Sequence, residues 1–151
     1  MYKNEDGDFL KDIRKFNEMY EQPINEKPTL LGVQQLERFK SILSEEVQEV
    51  DEIIKLYKEK ENNMNEEDKI EILTHLSDWL GDIVVYVSNE AQKHGIPLDN
   101  ALKIIMQSNF SKLGADGKAI KDERGKVMKE PNYWKPEPKI KDMLKESLKD
   151  K

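Results

Sequence analysis

One stretch limits more than any other what this chain can fold into. It is residues 76–87, which read Leu-Ser-Asp-Trp-Leu-Gly-Asp-Ile-Val-Val-Tyr-Val. Wound as a helix, the run is apolar almost all the way round, and a helix of that kind is buried. Asp82 lies inside the run, and a buried carboxylate is costly unless it is paired or bound to a metal ion. The stretch therefore predicts a buried helix that keeps a carboxylate for a functional reason.

A second acidic stretch contains Glu45, Glu46 and Glu49. Side chains three or four residues apart share one face of a helix, so these three carboxylates repel one another unless a cation lies among them. Glu46 and Glu49 flank the apolar stripe of their helix, where they can face a cleft. Glu45 points further out, and for this residue alone ordinary surface charge is the simpler interpretation.

The length of 151 residues predicts one domain over 1–151, with a core over about 9–113 and a tail over 114–151. The absence of cysteine excludes a disulfide scaffold and thiolate metal sites. No signal peptide and no apolar run near 18 residues are evident, so we expect a cytoplasmic protein without a membrane partner.

Charge is unevenly distributed along the chain. Residues 111–151 carry 12 Lys+Arg against 8 Asp+Glu, a net charge of +4, and the first 110 residues carry −10. A negative body argues against a nucleic-acid partner. An acidic core with a basic tail suits a metal–polyphosphate ligand, although solvated surface charge also explains it.

Apolar spacing predicts an all-α fold of four to five helices, since Gly and Pro separate the periodic segments. The predicted helices cover about 8–21, 33–60, 66–93, 97–112 and 139–148. Residues 119–121 and 126–128 flank a turn and predict a short, weak β-hairpin, which an extended tail follows.

Polar residues fall on stripes of two of these helices. In the third helix, Glu71, His75, Asp78 and Asp82 lie along one stripe. His75 is either a ligand or an ordinary, partly exposed histidine. In the fourth helix, Asn109 and Lys112 continue an inward stripe. They either contact a nucleotide or cap the helix end and extend to solvent.

Oxygen-only ligands suit hard cations such as Mg²⁺ or Mn²⁺, which usually meet phosphates in enzymes. Three hypotheses follow. The first is a Mg²⁺-dependent phosphoanhydride hydrolase. The second is a di-metal carboxylate bundle, which normally needs Glu-x-x-His, whereas this chain has Glu46-x-x-Glu49. The third is a non-catalytic helical interaction module, which does not account for Asp82 or for Asn109 and Lys112.

These residues resemble a known family. Glu45-Glu46-x-x-Glu49 followed by Asp78-x-x-x-Asp82 resembles the metal-binding core of the MazG-like all-α nucleoside triphosphate pyrophosphohydrolases. The segments 108–112, 116–118, 125–127 and 131–136 resemble the branch related to phosphoribosyl-ATP pyrophosphohydrolase, as does the opening Asp12-Ile13-x-x-Phe16 with Pro23. The likeness spans about 9–138.

The resemblance implies a four-helix-bundle-like site in a homodimer or homotetramer. It implies Mg²⁺-dependent cleavage between the α- and β-phosphates of a nucleotide, but it implies no base preference. We predict a deoxynucleotide or a non-canonical nucleotide, such as dUTP, as the substrate. The metal ligands would be Glu46, Glu49 and Asp82. Glu45 would be a ligand or the base that activates water. Glu46 would be a catalytic residue as well as a metal ligand. Asn109 and Lys112, with Lys126, would bind the substrate.

The chain departs from the family pattern at one place. Many members carry Glu-x-x-Asp in the second motif, but the position three before Asp82 is Trp79, which cannot bind a metal. Asp78 lies four before Asp82 and about 40° away around the helix axis. We therefore predict that Asp78 takes the ligand role and that Trp79 packs in the core or against the base. The alternative is a solvent-facing Asp78 and a cage without it.

Overall fold

The computed structural model describes residues 2–114, 116–126, 128 and 132–149, and within them it forms six α-helices. These are α1 (Phe9–Met19), α2 (Val33–Gln48), α3 (Val50–Lys60), α4 (Glu66–Lys93), α5 (Leu98–Phe110) and α6 (Glu137–Leu148). The prediction of an all-α fold is confirmed. None of these helices is both long and apolar enough to cross a membrane.

The helix predicted over 33–60 is two helices, α2 and α3, which meet at Glu49. The carbonyl oxygen of Glu46 accepts the Glu49 amide at 3.2 Å and the indole N–H of Trp79 at 2.8 Å. A side chain that inserts into the backbone ladder is a recognised cause of a helix break. The extra helix therefore results from a bond that comes from α4.

The N-terminus of α4 is fixed by a capping box. Asn65 Oδ1 accepts the amide of Asp68 at 2.8 Å, and Asp68 Oδ2 accepts the amide of Asn65 at 3.2 Å. Each carboxylate or amide oxygen thus satisfies a backbone N–H that the first turn leaves without a partner. The cap sets where the 28-residue helix begins.

The chain divides into two compact units, and the prediction of a single domain stays a prediction. The first unit comprises Met1–Asn25 and Thr29–His94. In it α4 packs against α1, α2 and α3. Its buried apolar side chains include Ile13 and Ile72.

Within this single chain, α4 is not covered on every side. Leu80 and Val84 are 50% and 53% exposed, and Asp82 is also exposed. Three helices cover only part of the circumference of α4, so its apolar periodicity does not bury every face in this chain.

The second unit comprises Glu26–Pro28 and Gly95–Lys151, and in it α6 packs against α5. Ser108, which is buried, donates its hydroxyl to the carbonyl of Trp134 at 2.8 Å, so the tail is tied to α5.

The expected hairpin of the second unit is present only as hydrogen bonds. The Asp122 amide donates to Lys126 O at 2.9 Å, and the Met128 amide donates to Ile120 O at 2.6 Å. Residue 127 lies outside the described residues. The described part of the chain contains an isolated bridge between Leu113 and Ala119, but no β-strand.

Candidate functional site

Glu46 is one of two buried glutamates in the described part of the chain, the other being Glu90. The Glu46 side chain lies on α2 and the residue is 6% exposed, and its Oε1 has no hydrogen-bond partner. Buried polar atoms are nearly always paired, so each exception needs an explanation. The apolar run around Asp82 had predicted Asp82 as the buried carboxylate instead, because periodicity alone does not show which face of a helix a neighbouring helix covers.

Other carboxylates surround Glu46. Burial, and after it the negative charges of Glu49, Asp82 and Asp78, raises the pKa of the Glu46 carboxyl above its ordinary value. A low-dielectric position and nearby like charges both disfavour the ionised form. The fold thus concentrates negative charge from α2 and α4 at one place, where a cation would be stabilised.

Trp79 joins the two acidic stretches. Its indole N–H donates to the backbone carbonyl of Glu46 at 2.8 Å, and the side chain is half-buried. Because Trp79 directly follows Asp78, this bond sets the distance between the part of α4 that carries Asp78 and the end of α2 that carries Glu46.

An open cleft of about 610 Å³ lies along this junction. Its lining comprises acidic, aromatic and aliphatic side chains from α3, α4 and the junction: Glu49, Glu52, Ile53, Leu56, Glu71, His75, Asp78, Trp79 and Asp82. The structure therefore brings Glu49, Asp78 and Asp82 to one cleft. Glu45 is exposed on α2 and does not line it.

Sequence reasoning missed Glu52, which is exposed and lines the cleft from α3. The available signal was its position three residues after Glu49, a spacing that places two side chains on one helix face. Glu49 lies at the break between α2 and α3, and Glu52 lies in the first turn of α3.

The donor chemistry of this cleft fits a hard divalent cation. Every acidic group offers carboxylate oxygen, which is the ligand type that Mg²⁺ and Mn²⁺ take. The orphaned Oε1 of Glu46 is an acceptor that lacks a positive partner. Within the described part of the chain, however, no three His, Cys, Asp or Glu side chains are arranged so that they could already hold a metal ion.

The predicted substrate-binding residues of the tail half lie in the second unit. Asn109 is exposed near the end of α5, and Lys112 is half-buried with its Nζ 5.6 Å from the ring centre of Tyr133. Lys126 is exposed, and its backbone amide donates to Asp122 Oδ1 at 2.9 Å. A cation over an aromatic face is held in place but keeps donors for other partners.

Neither a scan against protein families nor a search of curated proteins finds a match for this chain. Among solved structures, the chain is similar to one described as a putative NTP pyrophosphohydrolase from Exiguobacterium sp. 255-15. The two share 19% sequence identity, and the match covers 93% of this chain and 96% of that one with a TM-score of 0.52. At that identity the likeness shows a shared fold.

Proposed function

We propose that this protein is a divalent-metal-dependent nucleotide pyrophosphohydrolase, which splits the α–β phosphoanhydride of a nucleoside triphosphate into a monophosphate and pyrophosphate. The observation that carries the proposal is the buried carboxylate of Glu46, whose Oε1 has no hydrogen-bond partner and whose pKa is raised by burial and by Glu49, Asp82 and Asp78. A like-charge cluster of this kind opposes folding and persists where a cation offsets it. The shared fold with a structure described as a putative NTP pyrophosphohydrolase supports the same conclusion.

The metal would be held by Glu49 from the α2–α3 junction and by Asp78 and Asp82 from α4, all of which line the cleft. Glu46 would join them from α2, although it does not line the cleft itself. Glu49, Asp78 and Asp82 are exposed, so their side chains change rotamer readily. Glu46 is buried and gives the set a fixed member. When bound, Mg²⁺ or Mn²⁺ supplies charge neutralisation for the phosphates and acidifies a nearby water.

The chemical step moves one proton and exchanges one P–O bond for another. Water oxygen adds to the α-phosphorus while the bond from that phosphorus to the α–β bridging oxygen breaks, and pyrophosphate leaves. A carboxylate would accept the proton of the water. The resemblance gives Glu45 and Glu46 this role, and of the two Glu46 is the one near Glu49, Asp78 and Asp82, whereas Glu45 does not line the cleft. Proton transfer to a placed carboxylate is general base catalysis.

The function is tested by measuring pyrophosphate and orthophosphate release from a nucleotide panel, with Mg²⁺ or with EDTA. We expect pyrophosphate as the first product and no turnover in EDTA. Orthophosphate as the first product, or full activity in EDTA, would overturn the proposal. The dUTP activity suggested by the sequence stays a prediction that the same panel tests.

The ligand role of Asp78 has its own test, because this position departs from the family pattern. If both aspartates bind the metal, Asp78→Asn and Asp82→Asn each weaken Mg²⁺ binding and lower turnover. Calorimetric titration with Mg²⁺ and the pyrophosphate assay give the two readouts. An Asp78→Asn protein with wild-type affinity and turnover, beside an inactive Asp82→Asn protein, would remove Asp78 from the cage.

We further propose that the protein forms at least a dimer of this chain through α3 and α4. An open apolar groove of about 590 Å³ runs between these helices, and its residues Tyr57 and Leu73 are 51% and 53% exposed. Exposed apolar surface of this extent is typical of interaction sites. Because α3 has acids in its first turn and lysines in its last turn, an antiparallel second copy would place opposite charges together.

Sedimentation of wild type, Leu73→Glu and Thr74→Glu tests the dimer. Thr74 is an exposed neighbour of Leu73 that does not line the groove, so its variant controls for the added charge. We expect Leu73→Glu to sediment as a monomer and Thr74→Glu to keep the wild-type state. A monomeric wild type at micromolar concentration would contradict the proposal.

A further inference from the structure

In the first unit, two residues between α1 and α2 are hydrogen-bonded to the C-terminus of α4. The Thr29 amide donates to His94 O at 2.7 Å, and the Asn25 amide donates to Gln92 O at 3.5 Å. The side-chain amide of Asn25 donates to Lys93 O at 2.7 Å. The last carbonyls of a helix lack their usual partner four residues further on, so these bonds satisfy groups that α4 leaves open.

A buried histidine completes this contact. His94 is 8% exposed, and its Nδ1 lies 3.1 Å from the backbone carbonyl oxygen of Thr29. Its Nε2 lies 2.9 Å from Oε2 of Glu90, which is 7% exposed. The other carboxylate oxygen of Glu90, Oε1, accepts the side-chain N–H of Gln35 on α2 at 3.0 Å. One imidazole therefore connects Thr29 to α4 and, through Glu90, to the start of α2.

Both ring nitrogens of His94 thus face oxygen atoms. A neutral imidazole has one N–H and one bare nitrogen, and a carbonyl oxygen can only accept, so Nδ1 carries a hydrogen to bond Thr29 O. The contact between Nε2 and Glu90 then needs one more proton. That proton lies either on Nε2, which gives an ion pair, or on the carboxyl, which then donates to a bare Nε2. In either form the pair holds one proton more than a neutral histidine beside an ionised glutamate.

Loss of this shared proton leaves the contact without a satisfactory arrangement. A neutral imidazole can donate to Thr29 O or to Glu90, but not to both. Whichever oxygen loses its donor then faces a nitrogen lone pair, and the side chains of His94 and Glu90 are only 10% and 9% exposed to water. A buried polar group without a partner costs free energy. The contact is therefore stable while the proton is bound and weakens as pH rises.

The charged groups nearby do not replace this proton. Glu90 lines a cavity of about 260 Å³, to which the described residues contribute three other ionisable side chains, Arg38 from α2 and Lys93 and Tyr86 from α4. Ordinary lysine, arginine and tyrosine side chains keep one protonation state across the neutral pH range. The lining residues from α1 do not titrate. The shared proton of His94 and Glu90 is thus the one expected to respond to pH near neutrality.

We propose that Glu90, His94 and Thr29 form a proton-dependent latch, which holds the loop between α1 and α2 on the C-terminus of α4 and releases it as pH rises. Release would also free the start of α2, because Gln35 is bonded to Glu90. A positive charge on His94 further favours the closed latch, since the C-terminus of a helix carries partial negative charge. No latch residue lines the acidic cleft, so the latch goes beyond the proposed hydrolase function and is tested independently of it.

The test measures exchange of the Thr29 amide hydrogen, which the latch protects, by NMR on the full-length protein. Exchange is followed from about pH 5.5 to about pH 9, which spans the range in which histidine changes charge. Dividing the intrinsic exchange rate at each pH by the observed rate gives the protection, which reports opening of the contact. Because one proton is lost on release, we expect wild-type protection to fall about tenfold per pH unit once that proton leaves.

Glu90→Gln tests the role of the proton. Glutamine has nearly the same shape, its side-chain N–H can donate to the bare Nε2 of a neutral His94, and its oxygen still accepts from Gln35. That contact needs no extra proton, so we expect Thr29 protection to stay constant across the pH range. His75→Gln is the matched control, since the chain has two histidines and His75 lies exposed in the acidic cleft. This control should keep the wild-type dependence on pH.

Three exchange results would overturn the latch: wild-type protection of Thr29 that does not change with pH, a Glu90→Gln protein that keeps the wild-type dependence, or a His75→Gln protein that loses it. Nitrogen NMR of the His94 ring provides a readout that does not depend on the variants. We expect Nδ1 to carry a hydrogen wherever Thr29 is protected. A bare Nδ1 in the protected state would contradict the proposed bond to Thr29 O.

Discussion

Replacing Trp79 by phenylalanine removes a side-chain hydrogen bond between α4 and the break between α2 and α3. The lost bond is the 2.8 Å contact from the indole N–H to Glu46 O. A neutral hydrogen bond contributes about 0.5–1.5 kcal/mol to stability. The carbonyl keeps the Glu49 amide at 3.2 Å, so it is not left unsatisfied and the lower part of that range applies.

Lost packing adds to this cost. Trp79 is half-buried, so phenylalanine removes only part of a contact surface, and we expect a total destabilisation of about 1–2 kcal/mol. For a chain of this length each kcal/mol lowers Tm by roughly 2–4 °C. The expected shift is therefore about 2–8 °C.

Activity separates a positioning role from a purely structural one. Because the bond fixes the Glu46 backbone, we expect Trp79→Phe to lower kcat under conditions where the protein is fully folded, with Mg²⁺ affinity reduced as well. Trp134→Phe is the matched control, since Trp134 is bonded to α5 through its backbone groups. If Trp79→Phe keeps wild-type Tm, kcat and Mg²⁺ affinity, the bond does not position the site.

Three further outcomes are expected. Glu46→Gln should abolish pyrophosphate release but raise the Tm of the metal-free protein, because it removes a charge that the neighbouring acids oppose; an active variant would exclude Glu46 as a ligand or base. The folded-state pKa of Glu46 is raised, so metal-free wild type should lose stability as pH increases from the ordinary glutamate range through that higher pKa, whereas Glu46→Gln should lose less. Denaturant titrations across pH in EDTA measure this, and identical pH profiles would contradict it. Lys112→Ala should raise KM more than it lowers kcat in steady-state assays, and the reverse pattern would place Lys112 on the developing charge.

The helices were predictable because their apolar spacing and terminal signals agree. The apolar spacing predicted a helix over 66–93, and glycine and proline at 95 and 97 predicted the end of α4. The break between α2 and α3 was not predictable from local sequence. Its cause is a bond from Trp79, which lies 33 positions away from Glu46 in the chain.

The acidic cluster was predictable as a set but not in its burial. Helical spacing identified Glu46, Glu49, Asp78 and Asp82, since residues three or four apart share a face. Spacing does not show which face another helix covers. Glu46 is buried and Asp82 is exposed for that reason, the reverse of the assignment made from the apolar run around Asp82.

Asn17 illustrates a signal that was present but not used. It follows Ile13 by four residues and therefore lies on the apolar stripe of α1. A polar residue on such a stripe breaks the local pattern of the helix. Its burial, and its unpartnered amide, become evident only where α1 packs against α4.

Buried polar atoms without a partner depart from good packing, and in the first unit they occur at Asn17, Glu46 and Asn89. Glu46 and Asn17 are each buried, and each has polar atoms without a partner. Sequences that specify one fold violate local rules mainly where function requires it. Glu46 lies beside Glu49, Asp78 and Asp82, whereas Asn17 lies on α1, which packs against α4. The proposed cation site would offset the first departure, because a cation supplies the positive partner that the Glu46 carboxylate lacks.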